Sequence, residues 1–123
     1  MNYAFARNQY AKSKHAGLSG ISDPHEMITL TLKELSKSIN LLQNPTLDID
    51  KRKLCFSKSF TAIYILQTSL DFEKGGEIAE SLFKVYEYCR SQVQKAFKKD
   101  QSARLDTCVT VLNDIIDAWE KIK

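Results

Sequence analysis

The sequence predicts an all-α protein, an antiparallel four-helix bundle preceded by a mobile N-terminal arm or short helix. Three observations carry that expectation. Apolar residues recur at three- and four-residue steps in four successive windows. The links between windows are short, which makes successive helices antiparallel neighbours. The 123 residues include only four glycines and two prolines, too few for a turn-rich β-sandwich. A chain of this length forms one domain that buries a core without disulfides or metals.

Residues 1–22 show weak periodicity and run into Gly17-Leu18-Ser19-Gly20, so they are expected to form the arm, with residues 23–123 as the bundle domain. The first helix begins at Asp23, a good N-cap, with Pro24 at the first helical position and Glu26 placed to complete a capping box. Its apolar stripe is Ile28, Leu32, Leu35, Ile39 and Leu42, and Asn44-Pro45 ends it. The second helix runs from about Ile49 or Asp50 to Leu70. Asp71 to Gly76 reads as a sharp turn, because paired glycines reach positive φ without steric cost. The third helix is expected from about Glu77 to Phe97 or Lys98. The fourth runs from about Ser102 to Ile122, with the cleanest stripe: Leu105, Cys108, Leu112, Ile115, Ile116 and Trp119.

Several function classes find no support in the residues. A net charge of +3 with scattered lysines lacks the dense basic stripe of a nucleic-acid binder, and Lys51-Arg52-Lys53 and Lys98-Lys99 read as solvated helix ends. No apolar h-region follows Met1, and no run approaches the roughly 18 apolar residues of a membrane span, so a cytosolic chain without stable membrane insertion is expected. Cys55, Cys89 and Cys108 lie far apart among apolar residues, with no C-x-x-C spacing, and read as core side chains. His25 sits in the first turn of a helix without an H-E-x-x-H continuation, and His15 falls in the arm. Neither occupies the mid-helix position that a phosphotransfer bundle requires. Asp114 and Asp117 share a polar face, and Gly75-Gly76 follows a helix rather than the strand of a phosphate loop. No catalytic residue, metal or cofactor is expected.

What remains is surface. The second and third helices carry more apolar side chains than one axis can absorb: Tyr64, Ile65, Leu66, Phe83, Tyr86 and Tyr88 cannot all face inward. One reading is a thick core with a few exposed aromatics. The other is a hydrophobic groove that receives amphipathic helices from a partner, covered by the arm when empty.

The stretch Ser69 to Tyr88, SLDFEKGGEIAESLFKVYEY, closely resembles the hallmark of the FliS family of flagellin export chaperones. Leu70, Asp71, Glu73, Gly75, Gly76, Ile78, Ala79, Leu82, Tyr86 and Tyr88 match it, with Ser81 for the usual asparagine and Val85 for leucine. Asp23-Pro24-His25-Glu26-Met27-Ile28 resembles the family's helix start, Ala118-Trp119 its closing pair, and Tyr3 and Tyr10 its arm tyrosines. Thr31-Leu32-Lys33-Glu34 and Ala96-Phe97 depart from the pattern. The resemblance implies a protein that binds the disordered C-terminal segment of flagellin, blocks premature polymerisation and delivers it to the export gate of the flagellar type III apparatus. Other flagellar regulators or co-chaperones are further partners of the kind it implies. Tyr3, Tyr10, Ile65, Leu70, Ile78, Leu82 and Tyr86 are the expected contact residues, the tyrosines at 3 and 10 from the arm and the others from the groove.

Overall fold

The computed structural model describes residues 23–122, and the expected arm over 1–22 lies outside them. The described chain forms α1 (Pro24–Leu42), α2 (Ile49–Thr68), α3 (Phe72–Phe97) and α4 (Leu105–Lys121). Helix α1 packs against α2 and α4, and α3 packs against the same two, so the four form a square with α1 and α3 at opposite corners. The α1/α2 seam is the most extensive and the α3/α4 seam the thinnest. Leu32, Leu35, Ile39, Ile63, Val93 and Leu112 fill the centre, joined by Cys89 and Cys108. All three cysteines are reduced and buried, as their apolar settings in the sequence imply.

Helices α1, α2 and α3 start where an aspartate can take orphan N–H groups of the first turn. Asp23 accepts from the His25 N–H at 3.0 Å, and Pro24 follows at the first helical position. Asp48 accepts from the N–H groups of Asp50 and Lys51, and Asp71 from those of Glu73 and Lys74. The start of α4 is different. Its N-cap is Arg104, whose N–H donates to Oε1 of the buried Gln92 on α3 at 2.8 Å. Helix α4 begins later than Ser102 because Ser102 gives its N–H and hydroxyl to the Asp100 carboxylate, a local turn that competes with helix.

Helix ends are closed with equal economy. Beyond α1, Arg52 reaches back from α2 and donates to the carbonyls of Leu42 and Asn44, which lack intrahelical partners. Helix α2 stops at Thr68, two residues short of Leu70. The Thr68 hydroxyl donates to Tyr64 O at 2.8 Å and the Ser69 hydroxyl to Ile65 O at 2.7 Å, while Asp71 must take the extended conformation of a cap. At the end of α3, the Asp100 N–H bonds Lys95 O at 2.8 Å and the Lys99 N–H bonds Ala96 O at 3.0 Å, a Schellman pair. That motif places Lys99 at φ 61°, where glycine is the usual occupant.

The first turn of α1 and the last turn of α4 meet in a clasp that periodicity does not announce. The His25 ring stacks on Trp119 with centroids 4.5 Å apart and planes 7° apart. His25 Nε2–H donates to Trp119 O at 2.8 Å, and Trp119 Nε1–H donates to His25 O at 3.1 Å. The first turn of α1 is thereby tied to the last turn of α4. Ser36 Oγ–H to Asn113 Oδ1 at 2.8 Å adds a second bond along that seam.

Two stability changes are expected. Lys99→Gly relieves the left-handed backbone cost and should stabilise the fold by about 1 kcal/mol, read as a rise of several degrees in the melting temperature. Trp119→Phe keeps the stack and removes the indole donor to the His25 carbonyl, which the Thr29 hydroxyl still bonds at 2.9 Å, and should cost about 0.5–1.5 kcal/mol in chemical denaturation.

Candidate interaction grooves

The glycine pair shapes the first turn of α3. The sequence reads Asp71–Gly76 as the link; instead the chain is already helical from Phe72, with the Gly75 N–H bonded to Asp71 O at 2.7 Å. The break is concentrated at Gly76, at φ 47° and ψ −124°, a combination open to glycine and strained for any L side chain. Gly75 is required for a separate reason. A Cβ there would stand 2.9 Å from the Cβ of Ala79, which is buried.

Below that kink, α3 and α4 part along an apolar groove of about 470 Å³. Ile78, Leu82 and Val85 form one wall, and Val111, Ile115 and Ala118 the other. The small side chains Ser81 and Ala118 leave the space open, and Glu77 and Asp114 stand at its rim. Ile78 is 72% exposed, the most exposed of the large apolar side chains among the described residues. On the opposite side of the bundle, α1 and α2 enclose a second groove of about 440 Å³. Leu30, Thr31, Ala62 and Ile65 line it, and a Glu34–Lys58 ion pair at 3.0 Å lies across it.

The expected contact residues are therefore dispersed. Ile78 and Leu82 line the α3/α4 groove, while Ile65 lines the α1/α2 groove. Leu70 is half-buried against the core in the turn between α2 and α3. Tyr86 is not at a groove surface at all. It is 3% exposed inside the core cluster, and burial pushes its hydroxyl pKa well up, so it stays protonated. Its position one turn after Leu82 suggests a shared face, but the broad apolar arc of α3 turns Tyr86 inward and Leu82 toward α4. Tyr3 and Tyr10 lie outside the described residues. The sequence reading paired α2 with α3, whereas the second wall of the groove beside Ile78 comes from α4. The sequence reading places Ile115 in the core stripe of α4; in the structure it is only partly buried and joins Val111 and Ala118 as the groove wall.

The other residues with chemical potential are held structurally. The hydrogen bond to Cys108 and burial push the Cys89 thiol far above its ordinary value, which leaves no thiolate to react. His25 is engaged in the clasp. Glu87 is held below the usual carboxylate range by hydrogen bonds from Arg90 and from Gln67 of α2, and it links α2 to α3. Among the described residues no three histidine, cysteine or acidic side chains converge as a metal site would need, and no helix is long and apolar enough to cross a membrane.

The bundle leaves apolar seams open on two opposite sides, a surface of the kind on which amphipathic helices dock. The chain belongs to the FliS family: the sequence model described as "Flagellar protein FliS" matches residues 6–123. Among similar proteins, the flagellar secretion chaperone FliS of Campylobacter jejuni is 28% identical over 99% of this chain and 94% of its own length. The flagellar secretion chaperone FliSB of Pseudomonas aeruginosa is 25% identical over 95% of this chain and 94% of its own. That of Vibrio cholerae, named FliS, is 24% identical over 82% of this chain and 76% of its own. No solved structure resembles the chain closely enough to count as a match. The protein is thus a member of a family of flagellar secretion chaperones, a non-enzymatic class.

Gly76→Ala is expected to destabilise the protein by about 1–3 kcal/mol in a denaturant titration, because the open space around the site does nothing to relieve the backbone strain.

Proposed function

We propose that this protein acts in the cytosol as an export chaperone for flagellin. It binds the disordered C-terminal segment of flagellin, keeps that segment from polymerising, and hands it to the export gate. The observation that carries this reading is the α3/α4 groove, built on the Gly75-Gly76-Glu77-Ile78 run, with Ile78 left in water. An exposed isoleucine forgoes about 1.5–3 kcal/mol of burial, a deficit that an apolar helix face in the groove would remove. Ile78 and Leu82 are the proposed central contacts, with Ile65 on the opposite groove and Leu70 between them. Tyr3 and Tyr10 are proposed as contacts from the arm.

Ordering the incoming segment offsets on the order of 2–5 kcal/mol of the gross contact energy. Binding can then be firm enough to mask the polymerising face and still reversible at the membrane. No covalent step is involved; the work is done by burial and release.

Calorimetry with the C-terminal segment of the cognate flagellin should show binding with a large negative heat-capacity change. Ile78→Asp should weaken it by about tenfold or more, since a carboxylate would have to be desolvated in the groove, while leaving the melting temperature near that of the parent. No heat and no shift with the flagellin segment would remove this reading, and capture of a flagellar regulator in its place would favour a regulatory module using the same groove.

A further inference from the structure

We propose that the α3/α4 groove selects its ligand by charge, taking an amphipathic helix whose apolar face is flanked by lysine or arginine where it passes Glu77 and Asp114. The inference rests on the groove being the seat of the exported segment, and it adds which segments fit.

Glu77 stands on the α3 wall and Asp114 on the α4 wall, so two carboxylates border one apolar floor from opposite sides. Glu80 and Asp117 are exposed one turn further along each helix and do not themselves line the groove. The cations nearest in sequence, Lys74, Lys84 and Lys121, do not line the groove. Four acids elsewhere are ion-paired: Glu34 with Lys58, Glu87 with Arg90, Asp106 with Arg104 and Glu120 with Lys33. Among the described residues neither Glu77 nor Asp114 forms an ion pair. Among the described residues no cation lines the groove, and its apolar floor lowers the local dielectric in which an arriving cation would act.

Charge is also segregated along the bundle. The end formed by the start of α2 and the end of α3 exposes Lys51, Lys53, Lys98 and Lys99. A segment with basic flanks is repelled there and drawn toward the rim of Glu77 and Asp114, which sets its approach and its register more than its total affinity. Exposed pairs of this kind are individually weak. Apolar burial therefore holds the ligand while the acids decide which ligand, and in which register.

The test uses the full-length protein and two designed helical peptides of about 18 residues with one shared leucine-isoleucine face. One carries lysine flanks and the other glutamate flanks, and the flagellin C-terminal segment is titrated alongside. The lysine peptide should bind about three- to tenfold more tightly at about 0.05 M salt, with the preference shrinking at about 0.5 M. The double variant Glu77→Lys with Asp114→Lys should reverse the preference, and Glu77→Gln with Asp114→Asn should abolish it. Equal affinity for both peptides, or a preference that survives both double variants, overturns the proposal. So does a parent protein that sediments as a dimer which charge reversal dissociates, because the groove would then be filled by a second copy. If the lysine peptide binds with the expected preference and the flagellin segment does not bind, charge selection stands and the export reading falls.

Discussion

The backbone at Gly76 sets the course of everything that follows it. With φ at 47° and ψ at −124°, the residue interrupts α3 after a single capped turn and redirects the helix into the bundle. Asp71 holds the turn before the bend through two N–H groups, and Gly75 lets that turn lie against Ala79 without a clash. The bend then fixes the rotation of α3. Ala79, Tyr86, Cys89 and Val93 face the core, while Ile78, Leu82 and Val85 face the gap beside α4. A straight helix would distribute the same side chains differently and lose either core contacts or the open seam.

The remaining helices provide the rigidity against which that seam can stay open. Helix α1 is gripped on both sides, and its ends are secured by contacts that do not depend on α3: the His25–Trp119 clasp at one end and Arg52 on the last carbonyls at the other. The polar bonds matter less for their net energy than for leaving no buried donor or acceptor unsatisfied at the helix ends. With α1, α2 and α4 held this way, the thin α3/α4 seam can leave apolar side chains in solvent without loosening the fold. An interaction protein needs that combination, since a groove that collapsed when empty would have to be reopened at each binding event.

Two grooves on opposite sides also explain the excess apolar content better than a single one. Ile65 and Ile78 are both groove residues, yet they lie across the bundle from each other. A partner that engages both must wrap around the bundle, which suits an extended segment that folds on binding rather than a preformed globular surface. Charge differs between the sites as well. The α1/α2 groove carries its own Glu34–Lys58 pair, while Glu77 and Asp114 beside α3 and α4 have no cation among the described residues.

The sequence by itself determined the fold class, the number of helices in the bundle, the Asp23 N-cap and the family. Those features depend on local chemistry: aspartate before a helical run, glycine where φ must be positive, apolar spacing near the helical period. The SLDFEKGGEIAESL run marks the family for the same reason, because its residues are constrained by one short turn. Tertiary structure decided the rest. Tyr86 and Leu82 are one turn apart and look alike in a helical wheel, yet one is core and the other wall, because α3 carries an apolar arc wide enough to serve both. Trp119 and His25 are each ordinary at their own positions and become a clasp only when α1 and α4 close. The second wall of the groove, Val111, Ile115 and Ala118, sits beside a stronger core stripe on α4, and periodicity alone cannot say which stripe turns inward. Neighbour choice among helices is a property of the packed whole, and it is there that this surface was made.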